Sequence, residues 1–238
     1  MDGGSYYQVK KKVEEMKLDT KPLKVLVLSR EGTSFFRLEE SDKPGETKLV
    51  PEQQYPNFPT ATLVKFAPYS GSQAAIVDEL GIHFVDMTTC KEKLQIVKSG
   101  VSAIDYSPKD TYLITCERYQ QGEKNLVLWN SASGKEEGAF EWRKSSKEGP
   151  KSIKFTKDER YCARLASKKS ITVYENGNFS EPKFKITAGP IKAASKQKPE
   201  GESSGKQQKE EYKFDGFSLI PSSPDVPAQY APLYLAAW

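Results

Sequence analysis

Between Val101 and Arg143 the chain reads VSAIDYSPKDTYLITCERYQQGEKNLVLWNSASGKEEGAFEWR, and its apolar positions fall into four short runs, 102–106, 111–116, 125–130 and 137–142. Each run alternates apolar and polar residues or nearly so, and each is rich in aromatic and β-branched side chains, the pattern of a strand. Turn-forming stretches separate them: Ser107-Pro108-Lys109-Asp110, Gln121-Gly122 and Ser133-Gly134. No run is long enough for a globular helix. The stretch predicts four antiparallel strands in a meander.

The same unit recurs on either side. Val64-Lys65-Phe66-Ala67-Pro68, Ile104-Asp105-Tyr106-Ser107-Pro108 and Ile153-Lys154-Phe155-Thr156-Lys157 share one pattern: apolar, polar, aromatic, small, then a turn. A second pattern links Ile82-His83-Phe84-Val85-Asp86, Leu126-Val127-Leu128-Trp129-Asn130 and Ile171-Thr172-Val173-Tyr174-Glu175. Its copies are offset by 44 and then 45 residues. A four-strand unit at that period is the signature of a WD-repeat-like β-propeller, although the Trp-Asp dipeptide is degenerate here, reduced to Trp129-Asn130 and Val85-Asp86. The expected fold is therefore all-β: a partial propeller of about four to five blades, each of four antiparallel strands.

Boundaries follow from the repeat. Residues 1–23 form a polar leader. An incomplete first blade spans 24–60, with a hairpin about Arg30-Glu31-Gly32-Thr33 and a strand near Lys48-Leu49-Val50. Blades then occupy about 61–97, 101–142 and 151–186. Residues 187–211 are rich in Lys, Gln, Glu and Ser, cannot supply a core, and are expected to be a disordered insertion. Residues 212–238 resume as a further, truncated blade. Ending in mid-blade suits a fragment or truncated product of a longer chain.

Composition narrows the class. At 238 residues, 37% hydrophobic and 11% aromatic, the chain can bury a large core. Thirty-six basic against 32 acidic residues leave +4, too mild to identify a nucleic-acid binder, so the placement of charge matters more than its sum. Three cysteines, Cys90, Cys116 and Cys162, are odd in number and lie in or beside strands, which suits buried thiols in a reduced, intracellular protein. No run of eighteen apolar residues occurs, and MDGGSYYQVKKK has no apolar stretch, so neither a membrane span nor a secretory signal is expected.

Catalytic chemistry finds no residues to carry it. His83 is the single histidine, and its repeat counterparts are Val127 and Thr172, so it reads as structural. There is no G-x-S-x-G elbow, and Gly134-Lys135 and Gly205-Lys206 lack the rest of a phosphate loop. No C-x-x-C pair suggests zinc. Asp105, Asp158 and Glu159 read as turn residues whose carboxylates cap backbone N–H groups. No enzyme activity, cofactor or metal is expected.

Binding is better supported. In a four-strand blade, the second-to-third turns and the blade-to-blade connections leave by one face, and here that face has the longest loops. It carries Lys98, Arg118, Lys124, Arg143, Lys144, Lys147, Lys151, Lys168 and Lys169, against Glu117, Glu123 and Glu148, with Tyr119 and Trp142 interleaved. Cations among aromatics suit phosphate contacts and base stacking on structured RNA. The plain alternative is a solvated face, the usual meaning of surface lysines.

The runs NLVLWNSASGKEEGAF and SIKFTKDERYCARLASKKSITVYENGNF, especially DERYCAR and VYENGNF, and then FDGFSL at 214–219, resemble the N-terminal propeller of the eukaryotic translation initiation factor 2A family. The resemblance covers about 24–186 and 213–238. It implies a non-enzymatic factor that binds the small ribosomal subunit, helps deliver initiator methionyl-tRNA, and acts in non-standard or stress-related start-site selection. Contacts with mRNA and other initiation factors are implied as well, partly through further blades and a basic C-terminal tail. Two other readings stand beside it: the propeller of the b subunit of initiation factor three, and a WD-repeat protein–protein scaffold with no RNA role. Steeply salt-dependent binding would separate RNA docking from apolar peptide binding.

Overall fold

The structure is a computed structural model that describes residues 23–41, 45–188, 214, 216–220 and 234–237. Strands and two short 3-10 turns account for its regular elements. The expected leader 1–23, apart from Leu23, and the expected insertion 187–211, apart from 187 and 188, lie outside the described residues, as does Trp238; Thr187 ends a strand. The chain divides into two compact units, Met1–Ala61 and Thr62–Trp238.

The first unit is a three-stranded antiparallel meander of β1 (Lys24–Ser29), β2 (Gly32–Glu40) and β3 (Thr47–Pro51). Gly32 opens β2 at φ +109°, and a Cβ there would stand 2.7 Å from the Phe58 carbonyl oxygen. Only glycine fits this approach. Phe35 stacks on Tyr55 with ring centroids 4.1 Å apart. Lys24 reaches the Tyr55 hydroxyl and, at 3.5 Å, the Glu52 carboxylate.

The second unit contains three four-stranded antiparallel sheets, each in chain order across the sheet. One is β4 (Leu63–Phe66), β5 (Gln73–Val77), β6 (Ile82–Asp86) and β7 (Lys91–Ile96). The next is β8 (Val101–Tyr106), β9 (Tyr112–Glu117), β10 (Leu126–Asn130) and β11 (Glu136–Phe140). The last is β12 (Ile153–Phe155), β13 (Tyr161–Ser167), β14 (Ser170–Glu175) and β15 (Phe184–Thr187). A pair, β16 (Phe217–Ile220) and β17 (Tyr234–Ala237), follows. Below, the β4–β7, β8–β11 and β12–β15 sheets are called the second, third and fourth.

Both faces of these sheets are apolar, and alternation within a strand feeds two cores. From the third sheet, Leu113, Val127 and Trp129 pack with Val77, Ile82 and Phe84 of the second. Their neighbours Tyr112, Ile114, Leu126 and Leu128 pack with Ile153, Cys162 and Tyr174 of the fourth. Ala163, Ile171 and Val173 then meet Phe217 of β16. Val85, Trp129 and Tyr174 hold matching positions on the third strands, opposite Ala74, Leu113 and Cys162. Trp129 is buried between second and third sheets, and its indole N–H donates to Thr115 Oγ1 at 2.9 Å. That bond removes the cost of burying the indole donor.

The turns after β8 and β12 share one device. The hydroxyls of Ser107 and Thr156, at the small position of the repeat, accept from Tyr112 N (2.9 Å) and Tyr161 N (3.1 Å). Asp110 and Glu159 then adopt left-handed backbone, φ +66° and +59°. Each carboxylate reaches back to the preceding sheet. Asp110 accepts from Tyr69 N (2.9 Å) and Ser70 N (2.7 Å), and Glu159 from Lys109 N (2.5 Å). Glu159 is 2% exposed, so a buried carboxylate fixes the spacing of the third and fourth sheets. Asp158 stays local, accepting from Thr156 Oγ1 and Arg160 N. Asp105 is not a turn residue. It occupies a polar position within β8 and pairs with Lys65 of β4 at 3.1 Å.

His83 is buried in β6, Nε2 2.9 Å from Asp78 Oδ1 and Nδ1 2.9 Å from Glu92 Oε1. Asp78 also accepts from Leu80 N and Gly81 N, closing the β5–β6 turn. Burial alone would raise the Asp78 carboxyl, but the hydrogen bonds from His83 and these backbone groups outweigh it and hold the pKa below its ordinary value.

Two outcomes follow from this packing. Trp129→Ala removes a large side chain from between two sheets and lowers stability by about 3–5 kcal/mol, measured by urea unfolding. A carboxyl whose pKa is depressed on folding contributes stability that is present above its unfolded pKa and lost as pH falls through the folded one. The drop in urea midpoint between pH 6 and pH 3 is therefore smaller in Asp78→Asn than in the wild type.

Candidate nucleic-acid interface

Within the second unit the antiparallel order sends loops to two opposite edges of the sheets. The first-to-second turns, with Lys109 and Lys157, share one edge with the third-to-fourth turns. The loops at 78–81, 118–125 and 168–169, and the connections 97–100 and 141–152, share the other. All nine cations named from the sequence fall on that second edge.

The 141–152 connection is built from anchors at its two ends. Trp142 N donates to Asn125 Oδ1 (2.8 Å), and Asn125 Nδ2 donates to the carbonyls of Trp142 (3.0 Å) and Glu117 (2.9 Å). The Trp142 ring enters the core between third and fourth sheets, and its Nε1 donates to Ser145 O at 2.8 Å. At the other end Gly149 lies so close to Cys116 that a Cβ would stand 2.4 Å from Sγ. The 3-10 turns Ser146–Glu148 and Pro150–Ser152 complete the loop.

Trp142 is the correction this geometry makes. The sequence reading placed it among the cations as a stacking surface, but it is 7% exposed and structural. It stands two residues past the end of β11, where a large apolar ring is drawn into the space between sheets. Lys144 lies over the ring, 5.7 Å from its centroid.

The cations differ in their surroundings. Lys98 is half-buried and pairs with Glu117 at 3.1 Å. Burial pushes the Glu117 carboxyl up, with Lys98 opposing the shift. Arg143 is exposed but pairs with Glu141 at 3.0 Å and sits 5.9 Å over the Tyr119 ring. Tyr119 donates to the other Glu141 oxygen at 2.8 Å. The hydrogen bonds from Arg143 and Tyr119 hold the Glu141 carboxyl below its ordinary value. Arg118, Lys124, Lys147, Lys151, Lys168 and Lys169 are exposed.

Sequence reasoning missed Glu141. The signal available was Glu-x-Arg in extended chain, where side chains two apart share a side. Tyr119, from another loop, completes that trio.

Burial pushes the Cys116 thiol up to about 12 and raises that of Cys162 as well; buried, undissociated thiols are inert. Among the described residues no three His, Cys, Asp or Glu side chains group to hold a metal. No helix among them is long and apolar enough to cross a membrane.

Four-stranded sheets packed face to face, outermost strand leading to the next innermost one, are the blades of a β-propeller. No protein-family model matches the chain. Over 139 residues it is 26% identical to the B subunit of eukaryotic translation initiation factor 3 from Emericella nidulans, an alignment covering 49% of this chain and 19% of that protein. It is similar in structure to a chain described as the crystal structure of the eukaryotic initiation factor, with TM-score 0.62 and 17% identity over 85% of this chain and 44% of that one. A looser likeness, TM-score 0.41 at 10% identity, is to the Dos1 propeller, over 74% of this chain and 47% of that one. The chain thus spans about a fifth of the curated relative it matches and less than half of the first of these solved chains.

Glu141→Gln tests the trio. It removes the charge that neutralises Arg143 and leaves an amide within reach of both partners. The variant elutes from heparin at higher salt than the wild type, with an unchanged thermal midpoint. Elution at the same salt would show that Glu141 does not screen Arg143.

Proposed function

We propose that this chain is the propeller portion of a translation initiation factor, of the 2A family, and that it docks on the small ribosomal subunit through the cationic loop edge of its third and fourth sheets. The likeness to the factor 3 protein supports the initiation role, and the resemblance at 125–140 and 152–179 supports the 2A reading. The observation that carries the docking reading is the cluster of exposed cations on loops tied to one another through Asn125, Trp142 and Glu141. When lysines on this edge neutralise RNA phosphates, the condensed counterions they release gain entropy, which drives binding. With Trp142 buried, phosphate contact carries the affinity and base stacking does not. In this reading the factor acts by binding rather than catalysis, in the cytoplasm, and assists initiator methionyl-tRNA recruitment or alternative start-site selection. A second reading, a scaffold inside a multi-subunit initiation complex, draws on the same 26% identity.

The test is the combined variant Lys124→Glu, Lys147→Glu, Lys151→Glu and Lys168→Glu, all at exposed positions. Surface changes of this kind alter stability by about ±0.5 kcal/mol each or less. Binding to purified small subunits weakens at least tenfold at low salt, and its log–log salt slope falls by up to about 0.9 for each RNA phosphate that the variant no longer neutralises. Lys109→Glu with Lys157→Glu, on the opposite edge, has little effect. If the fourfold variant binds as the wild type does at every salt concentration, this edge does not dock RNA. Salt-independent binding by both proteins favours the scaffold.

A further inference from the structure

The 141–152 loop is fixed at its ends and open between them. Trp142 and Gly149 are buried, whereas Arg143, Lys144, Ser145, Lys147 and Glu148 are exposed. Residues 141–145 belong to no strand or helix, and Ser145 is extended at φ −52°, ψ 127°. Its carbonyl is engaged by Trp142 Nε1 and by Glu148 N. Its hydroxyl makes no capping bond to the 3-10 turn that follows. Ser146 differs: it is half-buried, lies within the turn, and holds Gly149 N with its carbonyl.

We propose that Ser145 is a phosphorylation site for a kinase that selects basic residues on both sides of its acceptor, and that the phosphate closes the cationic edge to RNA. Arg143 and Lys144 precede the acceptor directly, and Lys147 follows it by two. An extended, exposed segment on rigid anchors can enter a kinase cleft without unfolding the sheets. In the transfer, Ser145 Oγ bonds to the γ-phosphorus of a nucleoside triphosphate as the bond to the β-bridging oxygen breaks. The nucleoside diphosphate leaves, and the hydroxyl proton passes to the kinase's base. The product carries about two negative charges and three acceptor oxygens. Between 143 and 148 stand three cations and one carboxylate, so the phosphate cancels the local positive charge. It also competes for Arg143, Lys144 and Lys147 at far higher effective concentration than an RNA phosphate. The closing effect rests on the docking reading above; the modification site does not.

The experiment treats the chain with the catalytic domain of protein kinase C and ATP, and maps the phosphate by mass spectrometry. Ser145→Ala and Ser146→Ala run in parallel. The expected result is phosphate mapped to Ser145, missing from the same peptide of Ser145→Ala and retained by that of Ser146→Ala. The phosphorylated protein should elute from heparin at lower salt and bind small subunits about tenfold more weakly at low salt. No phosphate on the 143–151 segment, or phosphate there that survives Ser145→Ala, overturns the site. Phosphate on Ser145 with unchanged heparin elution overturns the charge effect. If neither form binds subunits, the docking reading fails, while the mapped position and the heparin shift still decide the modification site.

Discussion

A four-stranded sheet that is apolar on both faces cannot stand alone in water, and this requirement governs the second unit. The third sheet shows it most fully. Leu126, Val127, Leu128 and Trp129 are all buried because successive residues of β10 point into different cores. Each sheet needs a neighbour on either side, so stacking is a condition of stability and not an addition to it. The same demand relieves the loop edges of core duty, which leaves them able to carry charge.

The two edges use that freedom differently. On the edge of the first-to-second turns, Asp110 and Glu159 bind backbone N–H groups of the preceding turn and stitch adjacent sheets together. The carboxylates sit on left-handed backbone, a conformation unusual for residues with a Cβ and held here by the hydrogen bonds at both ends. The opposite edge is fixed by apolar anchoring, through Trp142, and by Asn125, which replaces missing strand pairing between two loops. Stitching on one side and anchoring on the other let exposed cations project from loops that are themselves well positioned. The charged surface is therefore an ordered one, which lowers the entropic cost of matching a rigid polyanion.

Much of this was legible in the residues. Alternation of apolar and polar positions is a local property, and it placed the strands. The offset of 44 and 45 residues gave the repeat, and strand connectivity alone assigned loops to edges, because each antiparallel turn reverses the chain. Connectivity also put all nine cations on one edge before any side chain was placed. What sequence could not decide was which neighbours those side chains would meet. Trp142 sits in a basic loop by position but in a core by packing. Arg143 is joined to Tyr119 and Glu141, and Lys98 to Glu117. Glu159 reaches a backbone N–H fifty positions away, and Asp105 pairs with a lysine one sheet earlier. The contacts of Trp142, Glu159 and Asp105 form only when sheets stack, and those of Tyr119 and Lys98 only when neighbouring loops of one sheet close together; burial or pairing at three ångströms depends on that approach, not on periodicity. The sequence by itself determined the strands, their repeat and the edge on which charge collects; the stacking of the sheets decided which charges and rings remain available there.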